Sequence, residues 1–431
     1  MKIFEKFFNG LEEKYPNEKK RCKIIITKCL YFSDITPMNV FITSEILKCE
    51  IQSRTGNIKE LKYEFNSNVG NTLELDINKK WGLDKFDAVI GNPPYNSSGD
   101  TATGNTIWQD FTRKALNELL CDKGLLLFVH PPGWRKPNTE KGKFYGMFEL
   151  MTQKNQMVYL EIHSIKDGQR VFKCGTRYDW YLIEHIKKYK NTIIVDENNK
   201  KTDINLDVFK WLPNSNILEI MKIIGKNDDE KNIMIYSPSA YEHRKKWMSH
   251  IKTEEYKFEC IHSTPKTGIR YMYSNCNNKG HFGISKVIFG EAGINDVIVD
   301  INGIYGLTNG AIGIKIDDIE TGNNIKKALK SNKFQSILNS CLFSSYRIDW
   351  NIFKEFKKDF WKEFVENNNN ENNEEEQNKV IKRTKSSKTT KDDNKKIIKT
   401  TKIEKVDTSE EEKEQKPIKV KKNKSTMNKT K

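Results

Sequence analysis

Asn92-Pro93-Pro94-Tyr95 is the group of side chains in this chain best suited to chemistry, and it follows directly on the apolar run Phe86-Asp87-Ala88-Val89-Ile90-Gly91. A planar amino nitrogen, its lone pair delocalised into a ring or carbonyl, is a poor nucleophile. The side-chain oxygen of Asn92 and the carbonyl of Pro93 can accept both hydrogens of such an amino group, drawing the nitrogen toward tetrahedral geometry and freeing its lone pair for methylation. No strong base is needed. Pro94 stiffens the loop that aims these acceptors, and Tyr95 offers a face on which a flat target can stack. Taken alone, the tetrapeptide could equally be a proline-rich turn; it is the preceding strand-like run that favours the reactive reading.

The elements that must hold this loop can be read on either side of it. Phe86 to Ile90 reads as a short, buried central strand, and two consecutive prolines cannot extend a ladder, so the chain leaves the sheet at Asn92. That places Asn92 and Tyr95 at a carboxyl edge, where open α/β sheets bind ligands. A helical stretch from about Thr106 to Leu120 then leads to a second buried strand, Gly124 to His130, followed by Pro131-Pro132-Gly133-Trp134, and the two strands are expected to form a right-handed crossover unit. Upstream, Tyr31-Phe32-Ser33-Asp34 reads as a strand, with a helix after Pro37, and another strand precedes Gly70-Asn71-Thr72-Leu73. Residues 1–30 read as helical, with Phe4, Phe7, Phe8 and Leu11 on one face.

Asn-Pro-Pro-Tyr in this setting resembles the catalytic motif of S-adenosylmethionine-dependent amino methyltransferases, whose branches act on adenine in nucleic acid or on glutamine in release factors. Gly168-Gln169-Arg170-Val171-Phe172 and Thr176-Arg177-Tyr178-Asp179-Trp180 resemble the late motif of the DNA adenine branch, and Gly303 through Trp361 resembles the C-terminal part of methyltransferases in combined (type IIG-like) restriction–modification enzymes. The resemblance implies a Rossmann-like α/β sheet, S-adenosylmethionine as cofactor and double-stranded DNA as partner. Asn92, Pro93, Pro94 and Tyr95 would be catalytic; Asp34 would bind the cofactor ribose, with Asn71 and Thr72 beside its adenine; Phe172 would hold the second face of an extruded base. Relatives usually place Asp at the position of Asn71. The bland alternatives are a helix-capping Asp34 and an ordinary core Phe172.

The family's Gly-rich cofactor loop, of the type Asp-Pro-x-x-Gly-x-Gly, does not occur before Asp34. The expectation is an N-terminally incomplete sheet, with the chain starting just after that loop, and a separate polypeptide as a possible source of it. Three readings stay open: a site-specific N6-adenine DNA methyltransferase of a restriction–modification-like system, an RNA or protein-amide methyltransferase, and a catalytically impaired DNA-binding remnant.

Composition bounds these readings. The 431 residues carry a formal charge of +16, which favours a polyanionic partner, and somewhat over a third of the surplus lies beyond residue 365. Residues 365–431, rich in Lys, Asn and Glu and without aromatic residues past Val365, are expected to be disordered. The Asn and Lys content suggests an AT-rich coding genome, viral or microbial. Eight scattered cysteines without a Cys-x-x-Cys pair read as reduced intracellular thiols, no metal site is expected, and no apolar run approaches a membrane span, which together imply a cytoplasmic protein.

The expected organisation is a catalytic domain over 1–200, an α+β target-recognition domain over 201–364 and the tail. In the second domain Lys266 to Phe289 interleaves basic and aromatic residues with loop glycines, and Arg270, His281 and Lys286 are the candidates for DNA contact.

Overall fold

The computed structural model describes residues 1–56, 64–97, 106–137, 142–225, 227, 230–231, 235–236, 242, 244–343, 348–349 and 351–365. The expected tail, apart from Val365, and residues 344–347 and 350 of the C-terminal resemblance lie outside these.

Two short amphipathic helices open the chain, α1 (Lys2–Gly10) and α2 (Glu18–Ile24), the second capped by the Asn17 side chain accepting from the Lys20 amide. A wider π turn at Ile25–Cys29 leads into β1 (Tyr31–Asp34), and α3 (Pro37–Thr55) follows, started by proline in its first turn and ended by Gly56 at φ 67°. Then come β2 (Asn66–Val69), α4 (Ile77–Trp81), β3 (Phe86–Gly91), α5 (Trp108–Lys114) and the long β4 (Leu120–His130). The N-terminal half is completed by α6 (Met147–Thr152), β5 (Gln156–His163), α7 (Ile165–Phe172), β6 (Tyr178–Glu184), β7 (Thr192–Val195) and β8 (Lys201–Ile204).

These strands form two separate sheets. One holds only β1 and β2, parallel; the other has the order β3-β4-β6-β5-β7-β8, with β3 parallel to β4 and β6 antiparallel to its neighbours. Each sheet has its own core. Phe4, Phe8, Cys22, Ile25, Ile26, Leu47 and Ile51 cluster beneath β1 and β2, while Trp108, Leu126, Leu160, Tyr181 and Ile183 belong to the large core of the six-stranded sheet. The strand at Phe86 to Gly91, expected to be central and buried, instead lies on the open edge of its sheet, and Ile90 is 51% exposed. The cause is topological: β3 has a strand neighbour on one side only.

The C-terminal part comprises α8 (Ile217–Ile223), the strands β9 (Ile235–Tyr236), β10 (Met248–Ser249), β11 (Phe258–Ser263), β12 (Arg270–Ser274), β13 (Gly280–Gly283), β14 (Lys286–Gly290), β15 (Gly293–Asp300), β16 (Gly306–Leu307) and β17 (Ala311–Lys315), and the helices α9 (Ile319–Lys330), α10 (Asn332–Ser340), α11 (Asn351–Glu355) and α12 (Lys362–Val365). Its strands pair as β10-β12-β11-β16 and β15-β14-β17-β9. The six-stranded sheet runs past residue 200, because β8 pairs with β7, and one apolar cluster continues from Trp108 and Tyr181 through Trp211 and Ile220 to Phe289, Phe334 and Phe353. No helix among the described residues is long and apolar enough to cross a membrane.

Candidate active site

The chain leaves β3 at Gly91, which lies so close to Phe128 of β4 that an added Cβ would sit 3.2 Å from the ring. Asn92 is exposed, Pro93 is buried and Pro94 is exposed, so the prolines anchor the loop while the Asn92 amide faces outward at the carboxyl end of the sheet. The loop is pinned again downstream. Ile107 N donates to Tyr95 O at 3.2 Å, and Asn96 pairs with Thr106 as an isolated antiparallel bridge.

Tyr95 is half-buried against the large core, and its hydroxyl is buried with no hydrogen-bond partner among the described residues. Burial, with a smaller contribution from the Cys174 thiol, pushes that phenol up to about 12, so it stays neutral. Its ring meets Phe172 with centroids 6.4 Å apart and planes at 76°. Sandwiching a base between two parallel rings takes about 7 Å, twice a van der Waals contact. A base would therefore have to swing one ring aside to be held between the pair.

Phe172 ends α7, and three residues at the start of that helix, His163, Ser164 and Asp167, lie outside the motifs singled out in the sequence. Ser164 caps it by accepting from the Asp167 amide, and Asp167 in turn accepts from the Tyr178 hydroxyl and sits 2.9 Å from His163 Nδ1. The Tyr178 hydroxyl and the Arg170 guanidinium hold the Asp167 carboxyl below the usual range, while burial and that carboxylate raise the phenol of Tyr178. Gly168 packs so tightly on the Thr176 carbonyl that a Cβ would approach its oxygen to 1.9 Å, a contact only glycine avoids.

A buried polar knot joins the turn after β4 to β6. Arg135 Nε donates to Asp179 Oδ2 at 2.7 Å and Nη2 to Oδ1 at 3.0 Å, Trp134 Nε1 donates to the same carboxylate, and Nη1 donates to the carbonyls of Leu212 and Pro213. Both charges are fully buried. Beside it His130, at the end of β4, stacks on Trp108 with centroids 3.8 Å apart and hydrogen-bonds the Tyr181 hydroxyl through Nε2 at 2.9 Å. Burial pushes this imidazole down to about 3. An adjoining cavity of about 290 Å³ is lined by Thr106, Trp108, Pro131, Lys136, Arg177 and Asp349 among others. The Trp108 indole and the Arg177 Nε are buried without hydrogen-bond partners among the described residues. The sequence signal for this wall was Pro131-Pro132-Gly133-Trp134 at the end of β4, paired with Thr176-Arg177.

The cofactor candidates stand on the other sheet. Asp34 ends β1, where its Oδ1 accepts from the Thr36 amide at 2.7 Å and its Oδ2 from Asn39 Nδ2 at 3.2 Å. Helix α3 has Thr36 as its N-cap with no side-chain cap, and each Asp34 carboxylate oxygen keeps a further lone pair, so these local bonds and the binding of vicinal hydroxyls are compatible. Asn71 accepts from the Leu73 amide and donates to Glu74 Oε1 at 2.7 Å, and Thr72 shares a hydrogen bond with Ser33 at 2.8 Å. These acceptors and donors suit the hydroxyls and amino group of a nucleoside.

In the C-terminal part, Arg270 starts β12 and is exposed. Lys286 and His281 correct the expectation of DNA contact. Lys286 Nζ is fully buried, 2.8 Å from Asp300 Oδ2, and donates to the carbonyls of His281 and Ile284. His281 is 4% exposed and takes φ 116°. Both lie within a turn that the ammonium holds together, so neither presents charge to a phosphate.

Among solved structures the chain is similar to the type IIL restriction–modification enzyme MmeI in complex with DNA, at 10% identity, over 76% of this chain and 55% of that one, with a TM-score of 0.45. A nuclease-deletion mutant of the type ISP restriction–modification enzyme LlaGI, in complex with a DNA substrate mimic, matches at 11% identity over 79% of this chain and 41% of that one, TM-score 0.41. The M protein of the type I restriction enzyme EcoKI matches at 13% identity over 54% and 51%, TM-score 0.31. The chain spans between 32% and 55% of the length of the solved chains compared. No curated protein matches. The model of the family described as Eco57I restriction-modification methylase matches residues 28–172, a stretch that takes in β1, β3, the Asn92 loop and α7 through Phe172. Over residues 28–172 the chain is thus similar to the Eco57I restriction-modification methylase family.

Proposed function

We propose that the chain takes part in N6-adenine methylation of double-stranded DNA within a restriction–modification system. The observation that carries this reading is the exposed Asn92 amide at the carboxyl end of β3, on a loop anchored by buried Pro93, with Tyr95 and Phe172 gathered beside it. In this reading an adenine is flipped out of the duplex, Asn92 and the Pro93 carbonyl accept its amino hydrogens, and the Tyr95–Phe172 pair opens to hold the ring. Asp34, with Asn71 and Thr72, would hold the nucleoside end of S-adenosylmethionine, which supplies an electrophilic methyl carbon when bound. Arg270 is proposed as a phosphate contact, and a further polypeptide segment as the source of the Gly-rich cofactor loop.

Asn92→Ala removes an acceptor acting on the reacting amino group and should abolish methylation while leaving DNA affinity and folding nearly unchanged. The assay is transfer of a tritiated methyl group followed by nucleoside analysis, with the Gly-rich segment supplied. Wild-type turnover by the variant would refute the role of Asn92. Label on cytosine, RNA or protein glutamine would overturn the substrate.

A further inference from the structure

Helix α7 has eight residues, of which only Gly168 is buried, and a helix so short keeps its shape by what grips its ends. One side chain grips both. The hydroxyl of Tyr178, on β6, donates to Asp167 Oδ2 in the first turn of α7, and its ring lies edge-to-face with Phe172 in the last, centroids 4.9 Å apart and planes at 86°. Tyr178 is itself buried and held from across the ladder. His163, its partner on β5, stacks flat on the phenol, with centroids 4.3 Å apart and planes at 4°. The same imidazole has Nδ1 2.9 Å from Asp167 Oδ2 and Nε2 3.2 Å from Glu161 Oε1. Asp167 thus gathers Tyr178 and His163 on one oxygen, and the Nε of Arg170 at 3.0 Å on the other. Hydrogen bonds to a carboxylate are the stronger kind.

The two rings of the site are held unequally. Tyr95 packs on the large core, its hydroxyl is buried and its carbonyl accepts from the Ile107 amide. Phe172 is half-buried and lies outside that core, with Tyr95 and Tyr178 as its ring contacts. The centroids of Tyr95 and Phe172, 6.4 Å apart, already approach the about 7 Å that a sandwiched base needs; it is the 76° between their planes that excludes one. The change required is therefore one of ring angle more than of distance. A body movement of α7 is not needed for it, and Gly168, set against the Thr176 carbonyl, blocks one in that direction.

We propose that Phe172 is the ring that turns to admit a flat base against Tyr95, and that Tyr178, Asp167 and His163 are positioning residues that hold α7 still while it turns. The inference rests on the base site proposed above. With the start of α7 fixed to β5 and β6, the main chain at Phe172 keeps its distance from Tyr95, and rotation about the side-chain bonds brings the second face parallel to the first. Removing the Tyr178 hydroxyl leaves His163 as the link from Asp167 to the sheet. The last turn of α7, exposed at Gln169, Arg170 and Val171, then has little to keep it in register with Tyr95. A wandering second face weakens stacking on the base and leaves contacts made elsewhere untouched.

The probe is 2-aminopurine deoxyriboside, a fluorescent purine nucleoside quenched by stacking on aromatic rings, titrated into the full chain without DNA or methyl donor. It needs no recognition sequence, and without a 6-amino group it reports stacking and not the role of Asn92. The wild-type chain should quench it saturably. Tyr178→Phe, which keeps the ring and removes the hydroxyl, should weaken binding by about tenfold, the loss of one hydrogen bond to a charged acceptor. Asp167→Ala should weaken it at least as much, the double variant no more than Asp167→Ala alone, and Asp167→Asn, which still accepts, should recover most of the affinity. Arg170→Ala, which takes an exposed partner from Asp167 without touching Tyr178, should bind as the wild type does. An equal loss in Arg170→Ala, or none in Tyr178→Phe and Asp167→Ala, overturns the positioning role and leaves the base site standing. Absence of saturable quenching by the wild type overturns the base site, and this inference with it. A crystal structure with the probe bound should show Phe172 turned and the backbone of α7 in place; a turned Tyr95, or a displaced α7, overturns the proposal.

Discussion

At the scale of single residues, Tyr95 and His130 show how far the site departs from a surface loop. The Tyr95 hydroxyl is buried without a partner among the described residues, which leaves its desolvation uncompensated by them. Tyr95→Phe should therefore leave stability unchanged or raise it by up to about 1 kcal/mol in urea unfolding, while keeping the ring contact with Phe172. A loss of more than that would mean the hydroxyl does have a partner. His130 is neutral in the folded chain, with its pKa pushed down to about 3 from 6.5. The unfolded chain takes up a proton there first, so stability should fall as pH drops below about 6.5, at up to about 1.4 kcal/mol per pH unit for this one group. Urea midpoints between pH about 6.5 and 5, above the carboxylate range, check this. His130→Gln should flatten the slope, and an unchanged slope would assign it to other groups. Asn92 to Tyr95 could be read as a candidate loop because tetrapeptide chemistry is local. His130 stayed silent, since nothing in Leu127-Phe128-Val129-His130 tells that Trp108 will stack on it.

At the scale of elements, strand existence was legible and strand environment was not. Tyr31 to Asp34 and Phe86 to Gly91 appear where the apolar runs put them, but periodicity carries no information about whether a neighbour is present, so the exposure of Ile90 could not be read. Charge misled in the same way at β14. A lysine among aromatic residues reads as a phosphate contact until Asp300, the residue opposite it on β15, is brought to its ammonium. Asp300 also accepts from the amides of Ile304 and Tyr305, so Lys286→Met would strand a buried carboxylate in that turn and should cost about 3–5 kcal/mol of stability. Arg270→Ala, on an exposed strand end, should leave stability within about 0.5 kcal/mol. Under the proposed function it should lower the salt dependence of DNA binding by about one counterion. Urea unfolding and a salt titration of duplex affinity separate the two. Equal stability losses, or a salt effect from Lys286 in a fully folded variant, would reverse the assignment.

At the scale of the whole molecule, the division was expected at residue 200, and an apolar cluster packs across that position. The cluster containing Trp108 and Tyr181 reaches Phe334 and Phe353, and Asn214 bridges the Arg135 guanidinium to the carbonyl of Leu342. Long-range partners of this kind leave no local trace in sequence. Residues 108–224 and 287–364 should therefore unfold in one transition, seen as coincident tryptophan fluorescence and far-ultraviolet dichroism curves. A fragment ending at residue 200 should show no cooperative transition of its own. Two separated transitions in the full chain would restore the two-domain division.

The Arg135 knot also sets a timetable for synthesis. Asp179 follows Arg135 closely, but the chain that completes the knot is made much later, with Asn214 and finally Leu342. At about 5–20 residues per second, the ribosome takes roughly 10–40 s to travel from Arg135 to Leu342. Throughout that interval the nascent sheet holds an ion pair that its surroundings have not yet closed off from water, and the apolar surface destined for α10 and α11 stays bare. The loop at Asn92 is thus made well before the residues that complete the knot.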